Sequence, residues 1–206
     1  MIRFGLVLFD GFDELDAVGP WEVLRSAAKF GAPFETMLFS FNGAQTVEAS
    51  HGLKVVVEKV DPQSFDWILV PGGSWVSRGP RGAWGEIQRG TLPNALRELR
   101  AKGKAMASVC TGSMILSAAG VTKGRAAVTH HAAHQALKDE GALLIDARVV
   151  DDGDLVTAGG VTSGLDLALW LTERLASPEI ARKVAANMEH QRVGAVHLGT
   201  NARSGR

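Results

Sequence analysis

Short, apolar, β-branched runs alternate along this chain with longer amphipathic ones, and that alternation most restricts the fold. Parallel strands need a long crossover between them, usually a helix. The pattern therefore predicts an α/β protein with a mostly parallel sheet and helices on both faces. Strands are expected at residues 2–9, 34–39, 67–70, 104–109 and 155–158, and helices at 20–29, 92–101, 111–119, 132–140, 162–176 and 178–190. Ser177-Pro178-Glu179 is a strong helix start, with a capping hydroxyl, a proline at the first position and an acid in the first turn. Residues 46–50 and 53–58 flank His51-Gly52 as a small hairpin. Asp151-Asp152-Gly153-Asp154 turns the chain from Arg148-Val149-Val150 into the last strand. With 206 residues and 46% hydrophobic content, the chain reads as one domain over 1–198, with 199–206 a flexible tail.

Lysine plus arginine equals aspartate plus glutamate at 22 each, so no basic field is available for nucleic acid or an anionic membrane. The expected partner is a small molecule. The first apolar run is too short for a membrane span and lacks a signal-peptide cleavage region; with only one cysteine, it fits a cytoplasmic location. Gly159 to Gly164 lacks the dinucleotide fingerprint and no Walker-type loop occurs, so no cofactor is expected.

That one cysteine, Cys110, stands between the apolar run Ala105-Met106-Ala107-Ser108-Val109 and the helix-compatible Thr111-Gly112-Ser113-Met114-Ile115-Leu116. This is a sharp strand-to-helix turn with a thiol at its apex, the cysteine counterpart of the hydrolase serine elbow. Amides at the start of the helix would point at the sulfur and lower its pKa, making Cys110 the expected nucleophile.

In open parallel sheets, chemistry collects beyond the carboxyl ends of the strands. Besides the elbow, three such segments stand out: residues 10–16, Pro71-Gly72-Gly73-Ser74 and residues 158–164. Gly72, Gly73 and Gly160 would let backbone amides approach a reacting atom. Asp13 and Glu14 read as helix-capping or solvated acids. Asp16 lies between Leu15 and Val18 in an apolar stretch, where a carboxyl must be paired, hydrogen-bonded or protonated, and is the acid–base candidate. His130, His131 and His134 offer too few ligands on one turn for a closed zinc site, so no metal is expected; His130 could join a cysteine–histidine dyad or hydrogen-bond at the pocket rim. Residues 74–90 read as a long loop, a candidate lid whose Trp75 and Trp84 would either wall an apolar pocket or anchor the loop.

Leu15-Asp16-Ala17-Val18-Gly19-Pro20, Pro71-Gly72-Gly73, Ser108-Val109-Cys110-Thr111-Gly112-Ser113, residues 124–130 and Gly159-Gly160-Val161-Thr162-Ser163-Gly164-Leu165-Asp166 together resemble the ThiJ/PfpI superfamily over nearly the whole chain. The resemblance implies a flavodoxin-like three-layer sandwich related to class I glutamine amidotransferase domains. It also implies Cys110 as nucleophile, Asp16 as its acidic neighbour, and amides near Gly73 and Thr111 around the reacting centre. The cysteine elbow and the segment around Asp16 look most like the isonitrile hydratase branch, in which an isocyanide and water give an N-substituted formamide through a cysteine thioimidate, with Thr111 orienting sulfur or substrate. A glyoxalase-like hydratase of 2-oxoaldehydes is the second enzymatic reading, and a ligand or redox sensor related to the amino-terminal domains of AraC-type regulators is the non-enzymatic one. Thr111 stands where the protease-like branch has histidine, and His131 where the hydratase pattern has tryptophan. The superfamily commonly forms homodimers, and Trp21, Val23 and Leu24 would offer an apolar contact face.

Overall fold

The computed structural model describes residues 1–203. Its main sheet contains seven strands: β1 (Ile2–Val7), β2 (Phe34–Phe39), β5 (Trp67–Val70), β6 (Ala105–Val109), β9 (Val149–Asp151), β10 (Leu155–Ala158) and β11 (His197–Leu198). Their spatial order is β11-β9-β10-β6-β5-β1-β2, with every pairing parallel except β9 with β10. β3 (Thr46–Glu48) and β4 (Lys54–Val56) form the expected hairpin, and the short strands β7 (Ala126–Ala127) and β8 (Leu143–Leu144) pair separately.

Period-two alternation sends each strand's side chains to two different cores. Phe4, Leu6, Trp67, Leu69, Ala107 and Val109 pack against α1 (Glu14–Lys29), α6 (Ser163–Leu175) and α7 (Pro178–Asn187). Val7, Ile68, Val70 and Met106 face the other layer, formed by α2 (Gly82–Arg89), α3 (Thr91–Ala101), α4 (Gly112–Ala118) and α5 (His134–Asp139). The three-layer α/β arrangement inferred from the alternation is therefore borne out. No helix among the described residues is long and apolar enough to cross a membrane.

Four expectations need correction. The first helix begins at Glu14, not at Pro20, which lies inside it. An interior proline removes a helical hydrogen bond and typically costs about 3 kcal/mol; here a side-chain cap from Asp13 and the burial of Asp16 hold the turn before it. Residues 74–90 are not a continuous loop, since α2 occupies their second half. Within them Trp75 is buried, meets Trp84 edge-on with ring centroids 5.5 Å apart, and Arg78 lies 4.2 Å above the Trp84 ring. Val23 and Leu24 are fully buried in this chain's own core, so they cannot supply the expected subunit face. The expected tail contains α8 (Thr200–Arg203), tied down where Asp152 accepts from the amide and side chain of Asn201; 204–206 lie outside the described residues.

Candidate active site

The site forms where the carboxyl ends of β5 and β6 meet the first turn of α1. The peptide run leaves β6 at Val109 and enters α4 at Gly112, a reversal too tight for ordinary backbone angles. Cys110 absorbs it with φ +56°, in the left-handed region that a side chain other than glycine seldom occupies. Such a conformation costs on the order of 1–3 kcal/mol and persists only where neighbours over-determine it. Here the Cys110 amide donates to the carbonyls of Ala158 (3.1 Å) and Gly159 (2.8 Å), and its carbonyl accepts from Thr129 Oγ1 at 2.9 Å. The elbow expected at Cys110 is thus present, held from both sides.

Opposite it, α1 opens with an interrupted capping box. Asp13 is the N-cap, its carboxylate accepting from the Leu15 amide at 3.2 Å, and Asp16 is the third helical residue. In an ordinary capping box the third residue reaches back to the N-cap amide. Here Gly72 stands between them: the Asp13 amide donates to the Gly72 carbonyl (2.9 Å), and the Gly72 amide donates to Asp16 Oδ2 (2.9 Å). Gly73 continues the clamp by donating its amide to Thr111 Oγ1 at 3.0 Å. Because Thr111 Oγ1 accepts that bond, its own proton is free, and the Thr111 amide and hydroxyl both favour the thiolate form of Cys110. A Cβ on Gly72 would stand 2.5 Å from both the amide nitrogen and Oγ1 of Thr111, so only glycine permits this approach.

These contacts revise the expected use of the turn. The amides of Gly72 and Gly73 are already occupied by Asp16 and Thr111, so these glycines hold the machinery instead of offering free donors to a reacting atom. Asp16 is fully buried, and its Oδ1 has no hydrogen-bond partner among the described residues. Burial, reinforced by the charge of Asp13, pushes its carboxyl well above the usual carboxylate range, against the opposing effects of the Gly72 amide and the Cys110 thiol.

The expected low-pKa thiol is overturned. Cys110 is 6% exposed, and burial followed by the charge of Asp16 raises its pKa, outweighing the Thr111 amide and hydroxyl that favour the thiolate. The seven-residue α4 cannot compensate for that desolvation. Since the Asp16 charge is itself a cause, the thiol ionises most readily when Asp16 keeps its proton.

His130 lies outside this contact set. Its Nδ1 accepts from the Ala132 amide at 3.2 Å, its ring rests against that of His131 with centroids 4.1 Å apart, and burial followed by His131 and His134 lowers its pKa. The bond to Nδ1 leaves Nε2 as the protonated nitrogen of the neutral ring. Gly160 faces it: a Cβ there would be 3.3 Å from His130 Cδ2. His134 Nε2 bonds the Thr129 carbonyl at 3.1 Å, a structural use that takes it away from any shared ligand set. A cavity of about 410 Å³ is lined by Thr129, His131, Arg148, Gly159, Gly160 and Thr162 among others; it includes two residues that bond the Cys110 backbone, Thr129 and Gly159, while Cys110 and Asp16 do not line it.

At the mouth, Glu14 fastens the β3–β4 hairpin to α1 by accepting from the His51 amide (2.7 Å), His51 Nδ1 (2.6 Å) and Ser50 Oγ (3.2 Å). Asp13, Glu14 and His51 bring ligand-type atoms within 4.8 Å of one another. The Glu14–His51 hydrogen bonds already account for that grouping. Although burial opposes it, the His51 bonds bring Glu14 down to about 2, while Glu14 raises His51 above its ordinary 6.5. The clasp is therefore complete between the unperturbed carboxylate value of 4.5 and the unperturbed imidazole value of 6.5. It is lost as pH falls through about 2, and again as pH rises through the raised histidine value. Glu14→Gln is expected to return His51 to ordinary titration, read from its ring proton shifts in NMR.

A strained cysteine elbow, a buried protonatable carboxyl and a glycine clamp joining them define an α/β protein of the thiol-elbow class. The chain belongs to the DJ-1/PfpI family, whose sequence profile matches residues 3–174. Isonitrile hydratase of Pseudomonas putida is 35% identical over 191 residues, covering 92% of this chain and 78% of that protein. A deglycase of Thermococcus kodakarensis is 32% identical over 170 residues, 80% of this chain and 92% of the other. The crystal structure of a ThiJ/PfpI family protein from Pseudomonas syringae superposes with a TM-score of 0.80 at 26% identity, covering 94% of this chain and 76% of that one. The superfamily inferred from the motifs is the one found.

Proposed function

We propose that the protein is a cysteine-dependent hydratase that converts an isocyanide and water to an N-substituted formamide. The observation that carries this reading is the pairing of Cys110 with a buried Asp16 whose Oδ1 is unpartnered and whose proton is retained by its surroundings. An isocyanide carbon must gain both a nucleophile and a proton, and it lies at the end of a linear group able to enter a narrow site. The Cys110 thiol first loses its proton to solvent water; the thiolate then forms the S–C bond while Asp16 delivers its proton to the same carbon, giving a thioimidate and a carboxylate. Water then adds across the C=N bond, oxygen to carbon and hydrogen to nitrogen. The resulting hydroxyl surrenders its proton to Asp16 as the C–S bond breaks, releasing the formamide and regenerating thiolate and carboxylic acid. Thr111, fixed by Gly73 as a donor toward sulfur, stabilises the thiolate at both ends of the cycle. Small size and neutrality of substrate agree with the absence of any net charge on the chain.

The 35% identity to an isonitrile hydratase supports this assignment, and the identity to a deglycase keeps carbonyl substrates as its competitor. Separate incubation with an aryl isocyanide and with methylglyoxal decides between them. Saturable formation of the formamide, without lactate, is the expected result. Lactate without formamide would transfer the site to 2-oxoaldehyde chemistry, and neither product would remove the hydratase assignment.

A further inference from the structure

We propose that Thr129 is a positioning residue for Cys110, its hydroxyl holding the peptide between the strained elbow and Thr111 in the orientation that sets the reactivity of the sulfur. The proposal rests on Cys110 being the reactive group of the reading above, and adds a residue that does not touch substrate. Thr129 is buried, and its Oγ1 donates to the Cys110 carbonyl at 2.9 Å. That carbonyl belongs to the peptide whose nitrogen is the Thr111 amide, so the bond fixes the plane of the peptide next to the sulfur-bearing residue.

The segment carrying Thr129 has no place in the main sheet, because β7 pairs only with β8. Its backbone is satisfied instead by buried hydroxyls. The Val128 amide donates to Thr157 Oγ1 (2.9 Å), and the Val128 carbonyl accepts from Ser113 Oγ (2.6 Å). Ser113, having used its proton there, accepts from Ser108 Oγ at 2.8 Å. Ser108 lies in β6, Ser113 in α4 and Thr157 in β10, so the segment is stitched to both strands that flank the elbow and to the helix that follows it. The Thr129 carbonyl is held separately by His134 Nε2. With its backbone anchored in this way, Thr129 can impose an orientation on Cys110 instead of following it.

The test uses the single thiol of the intact chain, so alkylation by iodoacetamide reports Cys110 alone. Wild type, Thr129→Val, Thr129→Ala and Thr129→Ser are compared for alkylation rate against pH and for thermal midpoint. Valine preserves the side-chain shape, and alanine serves if valine prevents folding. Loss of the hydroxyl is expected to slow alkylation at pH 8 by about tenfold, the range set by one buried hydrogen bond, and to move the midpoint of the pH profile upward. Serine is expected to remain within about twofold of wild type. A merely structural role would lower the thermal midpoint and leave the pH profile in place. An unchanged or faster profile in the variants lacking the hydroxyl overturns the proposal, as does a serine variant that behaves like them. No isocyanide enters these measurements, so failure of the hydratase assignment is read separately, from product formation.

Discussion

Cys110→Ser is expected to abolish turnover, by about 10³-fold or more, while leaving the fold in place. The elbow would present a hydroxyl of nearly the same size, still facing Asp16 and still within reach of the Thr111 amide. Oxygen at this position fails for electrostatic reasons. The surroundings already resist a negative charge on sulfur, through burial and the neighbouring carboxyl, and an alkoxide is far harder to form than a thiolate in the same place. Serine should also find a partner in the unpaired Asp16 Oδ1, so the change in stability is expected to stay within about 1 kcal/mol. Circular dichroism and thermal melting check the second point, and product formation the first. Turnover of the serine variant at a tenth of the wild-type rate would show that the thiol is not the nucleophile.

The same electrostatics explain why the sequence disclosed the position of Cys110 and misjudged its resting state. An apolar run, a small turn and a helix are local features, and they locate the elbow at Cys110. Its pKa depends on how much water remains around the sulfur and on a carboxyl from another element, neither of which local pattern contains. Asp16 was legible because a carboxyl in an apolar stretch demands an explanation. That its partner is the Gly72 amide was not legible, because the Asp13–Asp16 capping spacing is completed by a residue 56 positions away from Asp16. Pro20 misled in the opposite direction: proline at a helix start is the usual preference, and only the tertiary hold on Asp13 and Asp16 extends the helix ahead of it. Trp75 and Trp84 could be placed in either a pocket wall or an anchor from sequence, and their contact with each other and with Arg78 selects the anchor. Thr129 carried no local signal, since its importance comes from the carbonyl it meets and not from its neighbours in the chain.

Asp16→Asn separates proton delivery from thiol reactivity, because the two should move in opposite directions. The amide oxygen can still accept from the Gly72 amide, so the clamp between α1 and the turn is preserved. Turnover is expected to fall by about 10²–10⁴-fold, the usual contribution of a positioned general acid–base group. Once pH is high enough to ionise Asp16, its charge opposes the Cys110 thiolate, so in that alkaline range asparagine should make alkylation of Cys110 faster and lower its pH midpoint. For stability, a carboxyl whose folded pKa is raised penalises the native state once pH exceeds its unfolded value of 3.8, and the penalty grows until the folded pKa is passed. The asparagine variant should therefore melt no lower than wild type at pH 7, with any advantage vanishing toward pH 4. An increase in thiol reactivity joined to a loss of turnover would assign Asp16 to proton transfer, because a group that only activated sulfur would lose both together. Slower alkylation in Asp16→Asn would instead mean that the carboxyl acts as base toward the thiol, and the proton-first order of the proposed addition would have to be reversed.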